Sequence, residues 1–199
     1  MIRLKMEILK VSSKNYSNIV RKSVEIVRKD GVVVFPTDTV YGLLADATNK
    51  KAVEKIFKIK GRQKGKWLPV FVKDLKSAKN ISKIDKKQER FLRSVWPGKT
   101  TAVLKRKKGT KIYGVDKDTI ALRIPNYALL NKLLERINKP LAQTSANISG
   151  KKPLNDVKEI IKQFEKEKPD LIISVGKLKS TKPSKVIDIT GFQAKILRK

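Results

Sequence analysis

Short β-branched runs alternate along the chain with longer segments whose apolar residues recur at helical spacing, a pattern that predicts an α/β architecture. Tyr16, Val20, Val24 and Val27 share one helical face, and residues 32–35 read as a strand buried on both sides. A helix over 51–60 turns Val53, Ile56 and Phe57 inward, and Gly61 stops it. Residues 68–72 form another strand. Asp85 and Gln88 make a capping box that opens a helix carrying Phe91, Leu92 and Val95, which Pro97 and Gly98 end.

The same alternation runs on through strands at 101–104 and 120–124. A helix capped near Asn126 then carries Leu129, Leu130, Leu133, Leu134 and Ile137. Residues 141–144 are strand-like, Val157, Ile160, Ile161 and Phe164 mark a helix, and 171–175, 186–189 and 196–198 read as extended. Segments 105–118 and 176–185 are basic and turn-rich, which predicts mobile loops. No repeat or linker divides the chain, so residues 1–199 read as a single domain.

Charge changes the picture. The chain has 199 residues and a formal net charge of +30, from 48 Lys and Arg against 18 Asp and Glu. Residues 50–111 hold 22 basic and 4 acidic groups, so more than half of the excess lies in one third of the length. A polyanion such as RNA is one reading of that excess, and a lysine-rich solvated surface is the other. With no Cys and no His, disulfides, a cysteine nucleophile, a Cys/His zinc site and a Ser–His–Asp triad are all excluded. No apolar run reaches the roughly 18–20 residues of a membrane span, and the expectation is a soluble cytoplasmic protein with no membrane partner.

Residues 31–48 (GVVVFPTDTVYGLLADAT) and 140–150 (PLAQTSANISG) contain no Lys or Arg at all. Buried strands with polar turns would explain their apolar halves. They would not explain the hydroxyls of Thr37, Thr39, Tyr41, Thr144 and Ser145, because a buried hydroxyl needs a partner. Such uncharged polar clusters beside strands suit the lining of a pocket. The phosphate-binding P-loop is absent: the glycine required five positions before Gly98 is Arg93, and the glycines of 61–66 stand one residue too close.

Six blocks do match a pattern: Phe35 to Leu43 (FPTDTVYGL), Lys60-Gly61-Arg62, Trp96-Pro97-Gly98, Ala121 to Pro125 (ALRIP), Thr144 to Gly150 (TSANISG) and Pro183 to Asp188 (PSKVID), with a closing Ile196-Leu197-Arg198. In type and order they resemble the YrdC-like family, which comprises the L-threonylcarbamoyladenylate synthases. The resemblance implies a YrdC-like fold, unrelated to the double-stranded-RNA-binding domain: a twisted mixed β-sheet with flanking helices around an open cavity. It also implies a nucleotidyltransferase that makes threonylcarbamoyl-AMP and pyrophosphate from L-threonine, bicarbonate and ATP with Mg²⁺. A separate threonylcarbamoyl transferase would then modify the tRNA adenosine next to the anticodon, and a contact with tRNA or double-stranded RNA is implied as well.

By position in those motifs, Thr39, Tyr41, Arg123, Ser145 and Ser184 correspond to threonine-binding residues, and Lys60, Arg62, Lys66, Thr119, Asn147 and Arg198 to ATP-binding ones. Lys60 and Arg62 are the candidate catalytic groups, and no metal-ligating residue is implied. An arginine fork suits a carboxylate, and carbamate attack on a phosphate needs positioned cations rather than a protein nucleophile. The chain departs from many relatives at Lys66 (commonly Asn), Trp67 (commonly Pro), Phe71 (a threonine-contacting His), Lys99 (commonly Pro) and Lys185 (commonly Thr). The competing reading is a non-catalytic RNA-binding or ribosome-assembly module. Such a module would need the lysines but not the spaced Thr39, Arg123, Ser145 and Ser184.

Overall fold

A computed structural model describes residues 6–63, 65–164, 166–179 and 182–199. The elements, in chain order, are β1 (Glu7–Lys10), α1 (Tyr16–Arg28), β2 (Val33–Phe35), β3 (Gly42–Asp46), α2 (Lys50–Lys60), β4 (Val70–Phe71), α3 (Leu75–Ile81) and α4 (Lys86–Val95). They continue with β5 (Thr100–Lys105), β6 (Thr119–Arg123), α5 (Ala128–Ile137), β7 (Leu141–Ser145), α6 (Val157–Gln163), β8 (Leu171–Ser174), β9 (Lys185–Asp188) and β10 (Lys195–Arg198). The strands form one mixed sheet in the order β1-β8-β2-β3-β7-β4-β6-β5-β9-β10. No helix among the described residues is long and apolar enough to cross a membrane.

The central strands are buried on both faces, as their unbroken apolar runs require. In β2 and the residue before it, Val32 and Val34 join one apolar cluster while Val33 and Phe35 join the other. The larger cluster packs the sheet against α2, α3, α4 and α6 through residues such as Ile56, Ala78, Leu92 and Ile160. The smaller lies under α1 and α5, where Ile19, Val27, Leu130 and Leu134 meet Phe35, Leu44 and Leu171. Burying one such leucine contributes about 1.5–3 kcal/mol.

That second face is only half covered, and this creates the site. The register aligns Leu141 of β7 with Phe71 of β4, Phe71 with Arg123 of β6, and Thr101 of β5 with Val186 of β9, which pairs with Arg198 of β10. Leu141 and Phe71 still belong to the apolar cluster under the two helices. From Arg123 outward, the row continues with Thr101, Val186 and Arg198, none of which belongs to the cluster under α1 and α5. An open concavity therefore begins where α5 ends its cover.

The helix signals read from the sequence operate locally. The Asn49 side chain accepts from the Ala52 N–H at the start of α2, and Gly61 ends that helix with φ 56°, a left-handed conformation open to glycine. Asp85 and Gln88 form the full capping box of α4. Asn126 does not cap α5; the cap position is Tyr127, and the Asn126 N–H donates instead to the Asp38 carboxylate at 3.1 Å. The strand expected over 68–72 narrows to Val70–Phe71, since Pro69 has no N–H to give a ladder. Three elements carried too weak a pattern to be read: β1, β3 and α3.

The expected loop over 105–118 is laced in place. The Arg106 guanidinium donates to the carbonyls of Thr110, Ile112 and Asp116, while Ile112 and Val115 are buried. Of the other expected loop, Ser180 and Thr181 lie outside the described residues.

Candidate functional site

The concavity holds a cavity of about 400 Å³, within the range of small-molecule sites. Five segments, most of them remote in sequence, build it, and in each the local chemistry fixes the side chain that faces in. The first is the turn between β2 and β3. The Thr37 hydroxyl donates to the Val40 carbonyl at 2.7 Å, accepts from the Thr39 N–H at 3.0 Å and lies 3.0 Å from the Thr39 hydroxyl. These bonds hold Thr39 in the cavity wall.

Next come the C-terminus of α2 and the end of β7, joined by Lys60. Its ammonium is 3% exposed and donates to the carbonyls of Ser145 and Asn147, both at 2.7 Å, and to Asn147 Oδ1 at 3.3 Å. Three N–H groups thus meet three acceptors. Burial, with a smaller contribution from the nearby Arg62 charge, pushes Lys60 down to about 7. Arg62 reaches over the β7 end, donating to Thr144 Oγ1 at 3.4 Å and to the Trp67 carbonyl at 3.0 Å, and burial lowers its pKa as well. Its Nε–H is buried with no partner among the described residues. Such an orphan donor inside a cationic cavity suits an incoming anion.

Arg123 forms the floor. It is 2% exposed, pairs with Asp38 through Nη2, donates from Nε to the Gly98 carbonyl at 2.8 Å, and lies over the Phe71 ring at 5.6 Å. Gly98 can only be glycine here, because a Cβ would lie 2.6 Å from the Val95 carbonyl oxygen. Burial lowers the Arg123 pKa, Asp38 opposes that shift, and the charge of Arg198 adds to it.

The last segment is the β9–β10 edge. Ser184 Oγ lies 2.9 Å from Thr101 Oγ1, and Arg198 donates to the Ser184 carbonyl at 2.9 Å and to its hydroxyl at 3.1 Å. A buried serine is in this way set between a strand and a cation.

Of the residues singled out from the sequence, Thr39, Lys60, Arg62, Lys66, Arg123, Ser145, Asn147, Ser184 and Arg198 line this cavity. Lys66 and its neighbour Trp67, which is 49% exposed, stand at the rim. Tyr41 and Thr119 are placed differently. Tyr41 is fully buried, with its hydroxyl donating to the Gly176 carbonyl at 2.7 Å and accepting from the Val175 N–H at 3.0 Å, so it pins β3 to the turn after β8. Burial raises its pKa. Thr119 shares a face of β6 with Arg123, but its hydroxyl donates to Asp116 at 3.2 Å and it does not line the cavity.

Sequence reasoning missed Asp38, Gly98 and Thr101 as partners of the site, although the first two lie inside the quoted motifs. Gln143 also lines the cavity. A roomier groove of about 640 Å³ runs between α1 and α5, lined by Tyr16, Arg21, Lys132 and Arg136 among others, and it contains none of the predicted residues.

The cavity lining contains no carboxylate, and no cluster of metal-ligating side chains occurs among the described residues. The donor set does not fit a resident metal ion. It fits anions: a planar guanidinium on the floor, further cations on one side, and hydroxyls between them.

Known proteins resemble this chain over most of its length. The Sua5/YciO/YrdC family, described as "Telomere recombination", matches residues 25–199. A Methanocaldococcus jannaschii protein named a putative threonylcarbamoyl-AMP synthase is 36% identical over 190 residues, covering 94% of this chain and 89% of that one. The threonylcarbamoyl-AMP synthase of Pyrococcus abyssi is 33% identical over 181 residues, which are 90% of this chain and 53% of the relative. The crystal structure of Pyrococcus abyssi Sua5 complexed with L-threonine superposes with a TM-score of 0.86 at 30% identity, covering 98% of this chain and 57% of that chain. This chain therefore spans little more than half the length of the Pyrococcus protein. Escherichia coli YciO, named an uncharacterized protein, is 32% identical over 185 residues covering 90% and 88% of the two chains, and its crystal structure gives a TM-score of 0.84 over 98% and 95%. By sequence and by fold, the chain belongs to the Sua5/YciO/YrdC family.

Proposed function

We propose that the protein is an L-threonylcarbamoyladenylate synthase, a nucleotidyltransferase. One observation carries the reading: a single cavity holds Arg123, Thr39 and Ser184 together with Lys60, Arg62, Lys66 and Arg198. L-Threonine would seat its carboxylate against Arg123, with the hydroxyls of Thr39, Ser145 and Ser184 around it. The triphosphate of ATP would lie toward Lys60, Arg62, Lys66 and Arg198, near Asn147. Relatives that bear the synthase name support this assignment.

The chemistry balances without a protein nucleophile. The threonine amine takes up carbon dioxide, released from bicarbonate, to form a carbamate. A carbamate oxygen then attacks the α-phosphorus, the bond to the β-phosphate oxygen breaks, and pyrophosphate leaves; the net products are threonylcarbamoyl-AMP, pyrophosphate and water. The chain's contribution is to align two bound anions and to offset the charge that shifts onto the leaving pyrophosphate. Mg²⁺ would arrive on the triphosphate, since the cavity offers it no carboxylate. The product would pass to a separate threonylcarbamoyl transferase for modification of the tRNA adenosine beside the anticodon.

Incubation with labelled bicarbonate, L-threonine and Mg-ATP, followed by identification of the nucleotide product, tests substrate class and reaction together. The expected outcome is labelled threonylcarbamoyl-AMP, with pyrophosphate release that requires both threonine and bicarbonate. Pyrophosphate release independent of threonine, or none at all beside tight binding of tRNA, would favour a non-catalytic RNA-binding module instead.

A further inference from the structure

The cations of the cavity divide into two kinds by their partners. Arg123 alone is matched by a carboxylate. Asp38 pairs with its Nη2 and accepts the Asn126 N–H on its other oxygen, and the Gly98 carbonyl holds its Nε. Phe71 lies beneath the guanidinium. The last nitrogen, Nη1, has no acceptor among the described residues, and the side chain lines the cavity. The Asp38 side chain is 7% exposed, and the residue does not line the cavity.

Of the other cations, Lys60 meets only carbonyl and amide oxygens among the described residues, Arg62 a hydroxyl and a carbonyl, and Arg198, beside Ser184, that residue's carbonyl and hydroxyl. No carboxylate among the described residues pairs with these three or with Lys66. Inside a partly dehydrated cavity, a compensated cation and several uncompensated ones differ sharply in their pull on a multiply charged anion.

We propose that Asp38 partitions the cavity. By offsetting the charge of Arg123 and orienting its guanidinium, it makes a seat of reduced charge that takes one carboxylate through Nη1 and leaves polyphosphate to the uncompensated Lys60, Arg62, Lys66 and Arg198. Asp38 is thus a positioning and specificity residue, placed one step before Thr39 so that a single turn sets both the wall and the floor of the carboxylate seat. The proposal rests on the reading of the cavity as a threonine and nucleotide site and assigns the discrimination between them. Without the Asp38 charge, a buried unmatched arginine would itself become an anion site.

Pyrophosphate is the probe, because its binding needs no catalysis. In the wild-type protein, arginine side-chain Nε–Hε NMR signals are followed during titration with pyrophosphate and, separately, with L-threonine. Pyrophosphate should move the signals of Arg62, whose Nε is an orphan donor, and of Arg198 while leaving Arg123 in place; threonine should move Arg123. In Asp38→Asn, calorimetry should find a second pyrophosphate bound, with its affinity raised by at least about tenfold over any wild-type binding there, and the Arg123 signal should now respond.

Pyrophosphate that moves Arg123 as much as Arg62 in the wild type overturns the proposal but leaves the nucleotide site standing. Pyrophosphate that moves neither Arg62 nor Arg198 overturns both. A folded Asp38→Asn protein with unchanged stoichiometry also overturns it. Should that variant fail to fold, the two wild-type titrations still decide.

Discussion

Arg123 and Lys60 are both nearly lost to solvent, yet their surroundings set them different tasks. Arg123 is held rigidly by Asp38 and the Gly98 carbonyl, so it presents a fixed guanidinium edge. A lysine could not reproduce that planar contact. Arg123→Lys is expected to raise the KM for threonine by about 10–100-fold, the range for losing one charge-assisted hydrogen bond pair, with the KM for ATP changed less than threefold or so. Steady-state kinetics on both substrates check this, and equal losses for the two would reject the assignment.

Lys60 instead titrates. With its pKa lowered to about 7 in the folded chain and ordinary in the unfolded one, it is protonated in the unfolded state and largely neutral in the folded state between those values. The unfolded state binds more protons in that window, so the group's destabilising effect is full below about pH 7 and fades as pH rises toward the unfolded value. Phosphates brought near it would raise its pKa again. ATP binding at about pH 7.5 should therefore take up a fraction of a proton, seen as a binding enthalpy that depends on the ionisation enthalpy of the buffer. Lys60→Arg, charged at every working pH, should show no such dependence.

Helix α2, strand β7 and the turn before β3 are brought together by the β3–β7 ladder, to which Tyr41 and Lys60 add side-chain ties. Tyr41 links β3 to the turn after β8, and the Tyr41 carbonyl accepts the Ala146 N–H at 2.7 Å just beyond β7. Tyr41→Phe leaves the Val175 N–H and the Gly176 carbonyl without that partner, and is expected to lower stability by about 1–3 kcal/mol. A denaturation midpoint measures the loss. Threonine and ATP affinities measured well below the melting temperature should stay near wild type, because the hydroxyl faces away from the cavity. A loss of threonine affinity at full foldedness would return Tyr41 to the binding surface.

The same elements show what the sequence could reveal. Helices α1, α2, α4 and α5 were legible from apolar spacing and caps, because those signals lie within one segment. Strand β3 was not, since its apolar run is only Leu43 to Ala45, shorter than the roughly four to eight residues that mark a buried strand. The cavity residues were legible through resemblance, which fixes identity and order. Their partners were not: that Asp38 meets Arg123, or that Lys60 is saturated by the end of β7, depends on contacts across 85 and more positions of chain. Tyr41 and Thr119 show the reverse case. Motif membership put them beside the substrates, while strand facing puts one in the core and the other on a bond to Asp116.

The net charge of +30 acts on the whole molecule, and the structure separates it into two parts. A small part is buried or half-buried at the cavity, where Lys60, Arg62 and Arg123 answer to particular acceptors. The remainder is spread over exposed surface, as at Lys86, Lys87 and Arg90 on α4 and at Lys107, Lys108 and Lys111 beyond β5. Exposed charges are screened over about 10 Å at 0.1 M salt, whereas buried ones are screened far less. The two parts should therefore respond to salt differently. If tRNA is held by the exposed lysines, its binding constant should fall on a log–log plot with a slope of about −0.9 per phosphate neutralised in double-stranded regions, which for several contacts is a loss of roughly 10³-fold between 50 and 200 mM salt. Over that range threonine affinity should change by less than about twofold, because Arg123 is paired and enclosed. Fluorescence anisotropy with labelled tRNA, set beside threonine calorimetry in the same buffers, makes the comparison. Parallel salt slopes would mean that one electrostatic surface serves both ligands, and would remove the distinction drawn between the lysine-rich exterior and the cavity it surrounds.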